Sequence, residues 1–252
     1  MKKARVSYKG NVYGATVEGD QLLLEFGQTV HESEVTWLPP LEAGTIFALG
    51  LNFADHASEL AFNAPKEPLV FLKGPNTLIG HHGETPRPTD VTHMHYECEL
   101  AVVIGRQGKN ITKDEAYDYV AGYTIANDYA FRDYLENYYR PNFRVKNRDN
   151  CTPIGPWIVD KDDVSAPMNL ALRTYVNGTL EQEGSTKDMI FSVPYLIEYL
   201  SSFMTLNEGD VILTGTPKGP TKVNVGDEVV TEIEGIGRLA NTIIEEQPAP
   251  IS

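Results

Sequence analysis

Only two cysteines, Cys98 and Cys151, occur in 252 residues. Neither has a zinc-ligand or redox spacing, so a disulfide scaffold, a zinc finger and a thiol oxidoreductase are excluded, and a reducing cytoplasm is the expected compartment. No apolar run reaches the roughly 18 residues of a membrane span, and no membrane partner is expected. The basic start Met1-Lys-Lys-Ala-Arg5 leads into no apolar segment, so no secretory leader is expected. Positive charge is scarce: 21 Lys and Arg face 35 Asp and Glu, a formal net charge of −14. That argues against nucleic acid and against an anionic membrane surface. Internal repeats and low-complexity stretches are lacking. So is a true phosphate loop, because Gly215-Thr-Pro-Lys-Gly219 lacks the Walker spacing and the following Ser or Thr. That segment is either a plain turn or a turn offering the Thr216 hydroxyl and backbone N–H groups to an anion.

With 41% hydrophobic and 22% charged residues, the chain has the balance of a globular domain. Residues 4–26 alternate with Lys9-Gly-Asn and Glu18-Gly-Asp turns and read as a small antiparallel meander. Trp37-Leu-Pro-Pro-Leu41 reads as a rigid connector. The expected division is a small meander over 1–44 and one larger domain over 45–252. Strands are expected over Thr45–Gly50, Leu69–Leu72, Glu99–Gly105, Val120–Ala126, Asn169–Val176 and Val211–Thr214, with a closing hairpin over Asp227–Ile233 and Gly237–Ile244. Helices are expected over Asp55–Phe62, over Lys113–Tyr119 behind a Thr112/Glu115 capping box, and over Val193–Phe203 with Pro194 in its first turn. Strands dominate without regular βα alternation, which predicts a β-rich α+β fold.

Glu97 and Glu99 are the most informative pair. They sit in His93-Met-His-Tyr-Glu-Cys-Glu99 and run into the apolar stretch Leu100-Ala-Val-Val-Ile104. On a strand they share a face, about 7 Å apart. Two like charges at the mouth of a buried strand need a positive partner. A hard divalent cation is the simplest one, and a solvated strand end is the plain alternative. Asp128, after Tyr123-Thr-Ile-Ala-Asn127, either joins them as a third carboxylate or caps the segment Tyr129–Tyr138. His56 and Glu59, spaced i and i+3, form either an acid/base dyad or a surface helix pair. Arg132, Arg140, Arg144, Lys146 and Arg148 crowd one stretch of a strongly acidic chain. A small polycarboxylate ligand suits them, because arginine binds carboxylates bidentately; a solvated charged loop is the alternative.

These pieces fall in one order: Gly50-Leu-Asn-Phe-Ala-Asp-His56-Ala-Ser-Glu59, Phe71-Leu-Lys73, His95-Tyr-Glu97-Cys-Glu99, Asn127-Asp128, Arg132-Asp133, Lys146 and Ile212-Leu-Thr-Gly-Thr-Pro-Lys-Gly219. Together they resemble the fumarylacetoacetate hydrolase superfamily over about residues 45–245. The resemblance implies a mixed β-roll or sandwich core and a metal held by Glu97, Glu99 and Asp128. Mg²⁺ is the implied ion, with Mn²⁺ or Ca²⁺ as alternatives. His56, Glu59, Lys73, Arg132, Lys146 and Thr216 inherit active-site roles from the matching positions.

Within the superfamily, the stretch from Asp128 to Asp149 is similar to the isomerase/decarboxylase branch of 4-hydroxyphenylacetate (homoprotocatechuate) degradation. Hydrolytic members typically read Arg-Asp-x-Gln and then Lys-Ser-Phe. This chain has Leu135 in place of that Gln and Asn147-Arg148 after the lysine, which speaks against C–C hydrolysis. The resemblance therefore implies metal-assisted decarboxylation of 5-carboxymethyl-2-oxo-hex-3-ene-1,7-dioate, isomerisation of 2-hydroxyhepta-2,4-diene-1,7-dioate, or both. His56 and Glu59 would move the proton and Lys146 would offset developing negative charge. Lys73, Arg132, Thr216, Arg140, Arg144 and Arg148 would bind the substrate. A small 2-oxo-acid decarboxylase or an acylpyruvate hydrolase is the rival on the same scaffold, and a non-enzymatic metal-binding module is a more distant one. A homodimer is implied, and the shortness of the chain raises a sister isomerase/decarboxylase subunit as a partner.

Overall fold

The computed structural model describes residues 1–55, 65–135 and 143–247. Among them no helix is long and apolar enough to cross a membrane. Leu100, Val102 and Ile104 alternate with Ala101 and Val103, so beyond Glu99 the strand Cys98–Ile104 is apolar on both faces, and it is buried along its whole length. It lies in the middle of the largest sheet, between Val120–Asn127 and Val211–Leu213. Ile46–Gly50 and then Leu69–Lys73 continue the sheet on one side. The chain next returns as Leu78–Ile79 to pair in parallel with the start of Thr152–Asp160, so the sheet curls back on itself as a roll. Thr152–Asp160 also pairs with Val120–Asn127 and so closes the circuit.

The meander is present as Lys2–Tyr8, Asn11–Glu18 and Gln21–Leu24. Lys9 at φ 48° and Gly10 at φ 82° make its first turn, the left-handed pair that suits the twist of a two-residue hairpin. The meander packs Val6, Leu22, Leu24 and Trp37 into its own cluster. Its first strand pairs with Thr152–Asp160, Lys2 opposite Val159, so it extends the large sheet. The proline connector begins as a short strand, Thr36–Trp37, on the same first strand.

A second sheet runs in the order Thr179–Ser185, Ala171–Val176, Glu228–Ile233, Gly237–Glu245, Gly83–Arg87. The main core lies where Leu100, Val102, Ile104, Tyr123 and Ile125 of the large sheet meet Leu172, Ile233 and Leu239 of the second. The helix Val193–Phe203 forms as its sequence predicts. Ser192 caps it through the Tyr195 N–H, Pro194 opens it, and Val193, Leu196, Ile197 and Leu200 are its buried stripe. A third sheet, of three short strands, joins Ala130–Phe131, Met94–His95 and Lys222–Val223.

Three expectations change. The helix expected over Lys113–Tyr119 is a single 3₁₀ turn, Ala116–Tyr119. Glu115 does accept from the Thr112 N–H and hydroxyl, but the chain enters the strand Val120–Asn127 before a helical turn can propagate. Asp128 caps no helix among the described residues: a two-residue strand, Ala130–Phe131, and a 3₁₀ turn, Arg132–Tyr134, follow it. Thr152–Asp160 is an unexpected strand, because Pro153, Gly155 and Pro156 break the strand pattern. It tolerates them where its register against Val120–Asn127 shifts between Tyr123 and Ile125. Apart from Asp55, the helix expected over Asp55–Phe62 lies outside the described residues.

Gly122 marks how closely these strands approach. A Cβ there would stand 2.2 Å from the Val159 carbonyl oxygen. Gly122→Ala is therefore expected to cost about 1–3 kcal/mol as overpacking against backbone, read as a lowered urea midpoint with unchanged m-value.

Candidate metal and anion site

The site assembles at the ends of the central strands. Glu97 and Glu99 enter the strand Cys98–Ile104 as its antiparallel neighbour Val120–Asn127 leaves, with Cys98 opposite Asn127. That pairing brings Asp128 beside both glutamates, and its N–H donates to the Glu97 carbonyl at 2.9 Å. Asn127 fastens the corner by accepting the Glu97 N–H on Oδ1 at 2.9 Å. One carboxylate oxygen from each acid lies within 4.8 Å of the others, and all three residues are buried.

Three cations face these three acids. Lys146, on the short helix Phe143–Lys146, donates to Glu97 Oε2 at 2.5 Å and Asp128 Oδ2 at 2.8 Å. Arg132 donates through Nη2 to Glu97 Oε1 at 3.1 Å. Lys73, at the end of an edge strand, donates to Asp128 Oδ1 at 2.5 Å. Glu99 has a different environment. Its Oε2 accepts the Gly215 N–H at 2.7 Å, while its Oε1 is buried with no hydrogen-bond partner among the described residues.

The electrostatics follow from that asymmetry. Burial, with the charges of Asp128 and Glu97 adding to it, pushes the Glu99 carboxyl well above its ordinary value. Burial would raise Asp128 too, but Lys146 and Lys73 outweigh it and hold its pKa below the ordinary carboxylate value. Burial would lower Lys146, but Asp128, Glu97 and Glu99 outweigh it and raise its pKa, so the ammonium stays charged. A buried carboxylate oxygen left unsatisfied is costly. The donor set is all oxygen, two glutamates and an aspartate. The orphaned Oε1 together with this hard donor set fits a divalent cation such as Mg²⁺ or Mn²⁺.

The structure separates the remaining candidates. Lys73 was expected to hold substrate, but its side chain is wholly buried. Its ammonium donates to Asp128 and to the Lys146 carbonyl and lies 3.9 Å from Cys151 Sγ. Three acceptors meet three N–H groups, and Lys73 orients Asp128 instead. Arg132 also has a buried Nε with no hydrogen-bond partner among the described residues. Arg144 and Arg148 are not brought to the acids. Arg144 is mostly exposed, lies over the Tyr134 ring and stands 3.7 Å from Asp90; Arg148 is tied to Glu246. Asn147 fastens the helix to the edge strand by accepting from the Gly74 N–H and donating to the Leu72 carbonyl. Leu135 is half exposed behind the Arg132–Tyr134 turn. His56, Glu59 and Arg140 lie outside the described residues.

Two supports were not among the site candidates. Asp133 accepts from the Thr92 hydroxyl and from the Thr92 and His93 N–H groups, stapling the segment that delivers Glu97. Gln182 lies on a strand of mostly polar residues and holds Thr216.

The sequence profile described as fumarylacetoacetate (FAA) hydrolase C-terminal matches residues 45–244. The chain belongs to this fumarylacetoacetate hydrolase family. A family relative from Salmonella dublin, the 4-hydroxyphenylacetate degradation bifunctional isomerase/decarboxylase, is 66% identical over 215 residues, which is 85% of this chain and 50% of that protein. The chain thus spans about half the length of this curated relative. Among solved structures, 5-carboxymethyl-2-hydroxymuconate delta-isomerase from Mycobacterium smegmatis superposes with TM-score 0.88 at 35% identity, over 98% of this chain and 100% of that one. Maleylpyruvate hydrolase from Sphingobium sp. SYK-6, solved in complex with manganese(II) and pyruvate, superposes with TM-score 0.84 at 25% identity over the same shares.

Proposed function

We propose that this fumarylacetoacetate hydrolase family member is a divalent-metal-dependent decarboxylase and isomerase of 2-oxo-enoic polycarboxylic acids. Its proposed substrates are 5-carboxymethyl-2-oxo-hex-3-ene-1,7-dioate for decarboxylation and 2-hydroxyhepta-2,4-diene-1,7-dioate for isomerisation. The observation that carries the proposal is the buried acid triad, with Glu99 Oε1 unpartnered among the described residues and Lys146 and Arg132 beside the triad. The similarity to the Salmonella dublin relative supplies the substrate class.

Glu97, Glu99 and Asp128 would hold the metal, which supplies Lewis acidity toward the 2-oxo-acid end of the substrate when bound. Lys73 and Lys146 keep Asp128 ionised as a ligand. The Nε of Arg132, without a partner among the described residues, is a donor available to a substrate carboxylate, and the Thr216 hydroxyl is a second. Decarboxylation breaks the bond between C5 and its carboxylate. CO₂ leaves, and the electron pair moves through C3=C4 to the C2 oxygen. Lys146, held cationic at the rim of the acid cluster, offsets the charge developing there without transferring its proton. A proton on that oxygen gives 2-hydroxyhepta-2,4-diene-1,7-dioate, and a proton on C5 instead gives 2-oxohept-3-ene-1,7-dioate. His56 and Glu59 are the proposed carriers of the C5 proton.

A cytoplasmic homodimer, or an assembly with a sister isomerase/decarboxylase subunit, completes the proposal. The test follows CO₂ release and the ultraviolet band of the dienol on the purified chain, with and without Mg²⁺. Metal-dependent CO₂ release is expected, followed by decay of the dienol. Decay of supplied dienol without CO₂ release would make the chain an isomerase alone. Neither activity, with acylpyruvates cleaved instead, would overturn the proposal in favour of hydrolysis.

A further inference from the structure

Thr216 directly follows Gly215, whose N–H donates to Glu99 of the acid cluster. The hydroxyl is buried and is held from outside that turn. Gln182 donates through Nε2 to Thr216 Oγ1 at 2.9 Å and to the Pro217 carbonyl at 2.8 Å, and its Oε1 accepts from the Thr174 hydroxyl at 3.0 Å. All three residues Thr174, Gln182 and Thr216 are buried.

This network has one consistent set of proton positions. The Pro217 carbonyl can only accept, so the Gln182 group facing it must be the NH₂ and its carbonyl must face Thr174. The second N–H then points at Thr216 Oγ1, which must accept. A hydroxyl has one proton, and the one on Thr216 has no acceptor recorded among the described residues. It is therefore left for a ligand.

The strand geometry that places Gln182 is also specific. Thr174 stands opposite Gln182, but Tyr175 stands opposite Leu180, so Glu181 is the extra residue of a β-bulge. A slip of one residue would set the Glu181 carboxylate where the Gln182 amide now sits. That carboxylate would accept the Thr216 proton and repel an acid.

We propose that Gln182 is a positioning residue that makes Thr216 an obligate hydrogen-bond donor to the carboxylate of a bound 2-oxo acid, so that the second sheet takes part in substrate recognition. This deepens the function proposed above and rests on it. The geometry selects ligands that present an acceptor at that point and disfavours those that present an N–H or O–H.

The test is calorimetric titration of pyruvate into the protein saturated with Mn²⁺, with Mn²⁺ binding titrated separately. Thr216→Val is expected to weaken pyruvate about tenfold, the loss of one hydrogen bond to a charged group. Gln182→Leu is expected to weaken it by about three- to tenfold, with Mn²⁺ affinity kept within about twofold. The double variant is expected to be no weaker than Thr216→Val alone, because Gln182 acts only through that hydroxyl. Gln182→Met fills the same volume with a flexible chain and gives the same reading should the leucine variant fold poorly. Multiplicative losses in the double variant, or unchanged pyruvate binding in both Gln182 variants, overturn the inference. So does loss of Mn²⁺ binding in both, which would make Gln182 part of the scaffold. If the wild-type protein binds Mn²⁺ but no pyruvate, the 2-oxo-acid reading itself fails and this inference falls with it.

Discussion

Glu99→Gln is expected to bind Mg²⁺ or Mn²⁺ at least about a hundredfold more weakly than the wild-type protein, to lose about a thousandfold or more in decarboxylation, and yet to melt at a higher temperature in metal-free buffer. The first two losses follow from removing one of the three proposed anionic ligands. The gain follows from the position of Glu99, fully buried with Oε1 unpartnered and two acids beside it. A neutral amide removes the like-charge repulsion. Its carbonyl can keep the Gly215 N–H, and its NH₂ faces Asp128 and Glu97. At about 2–4 °C for each kcal/mol in a chain of this size, the shift is measurable by calorimetry.

The pH dependence carries a sign of its own. An acid whose folded pKa lies above its unfolded value of 4.5 binds its proton more tightly in the native state. Its contribution therefore lowers stability as pH rises from the unfolded value through the folded one. The melting difference between Glu99→Gln and wild type should vanish near pH 4 and widen toward neutral and alkaline pH in chelator. Saturating Mn²⁺ should reverse it, because the wild type gains more binding energy than the variant. A variant that bound Mn²⁺ as tightly as wild type would remove Glu99 from the metal site.

Lys146→Met is expected to act in the opposite direction on stability. Methionine fills much of the same volume but leaves Glu97 Oε2 and Asp128 Oδ2 without their 2.5 and 2.8 Å donors. Removing one partner of a buried charge group costs about 3–5 kcal/mol, so a fall of roughly 6–20 °C in metal-free buffer is expected. A divalent cation replaces part of the missing charge, so added Mn²⁺ should raise the melting temperature of the variant more than that of wild type. Decarboxylation should remain at least about a hundredfold down even at saturating Mn²⁺, because the ammonium proposed to offset charge at the C2 oxygen is gone. Thermal melts with and without Mn²⁺, beside CO₂ release, test both. A stability loss under about 1 kcal/mol would show that the lysine is solvated and not part of the buried network.

The acid triad was legible in the sequence because its members obey local rules. Glu97 and Glu99 keep a period of two into an apolar strand, and Asp128 follows the next apolar strand, so pairing the two strands brings them together. The helix Val193–Phe203 was legible for the same kind of reason: a cap, a proline in the first turn and one apolar stripe lie within a dozen residues. What escaped depended on partners remote in the chain. The end of a strand rich in apolar residues does not show that Lys73 meets Asp128 and the backbone of Lys146. Nor does a basic run show that Arg144 faces Asp90 and Arg148 faces Glu246 while Lys146 turns inward. Thr152–Asp160 violates strand propensity through its prolines and survives by shifting register. Gln182 sits in a polar strand, and only the bulge at Glu181 reveals that it is the residue pointing in.

The parallel pairing of Ile46–Gly50 with Val211–Leu213 bears on how the protein comes to be folded. The Thr45 N–H is bonded to Asp210, 165 residues away, and the turn that delivers Gly215 and Thr216 follows immediately. Closing so long a loop is entropically expensive until the intervening strands have collapsed. During synthesis, a ribosome that has released residue 150 has made all three acids, but not the strand that holds Glu99 in place through Gly215. The site is thus among the last parts to form, and a nascent chain passes through a stage in which its acids are present and their pocket is not.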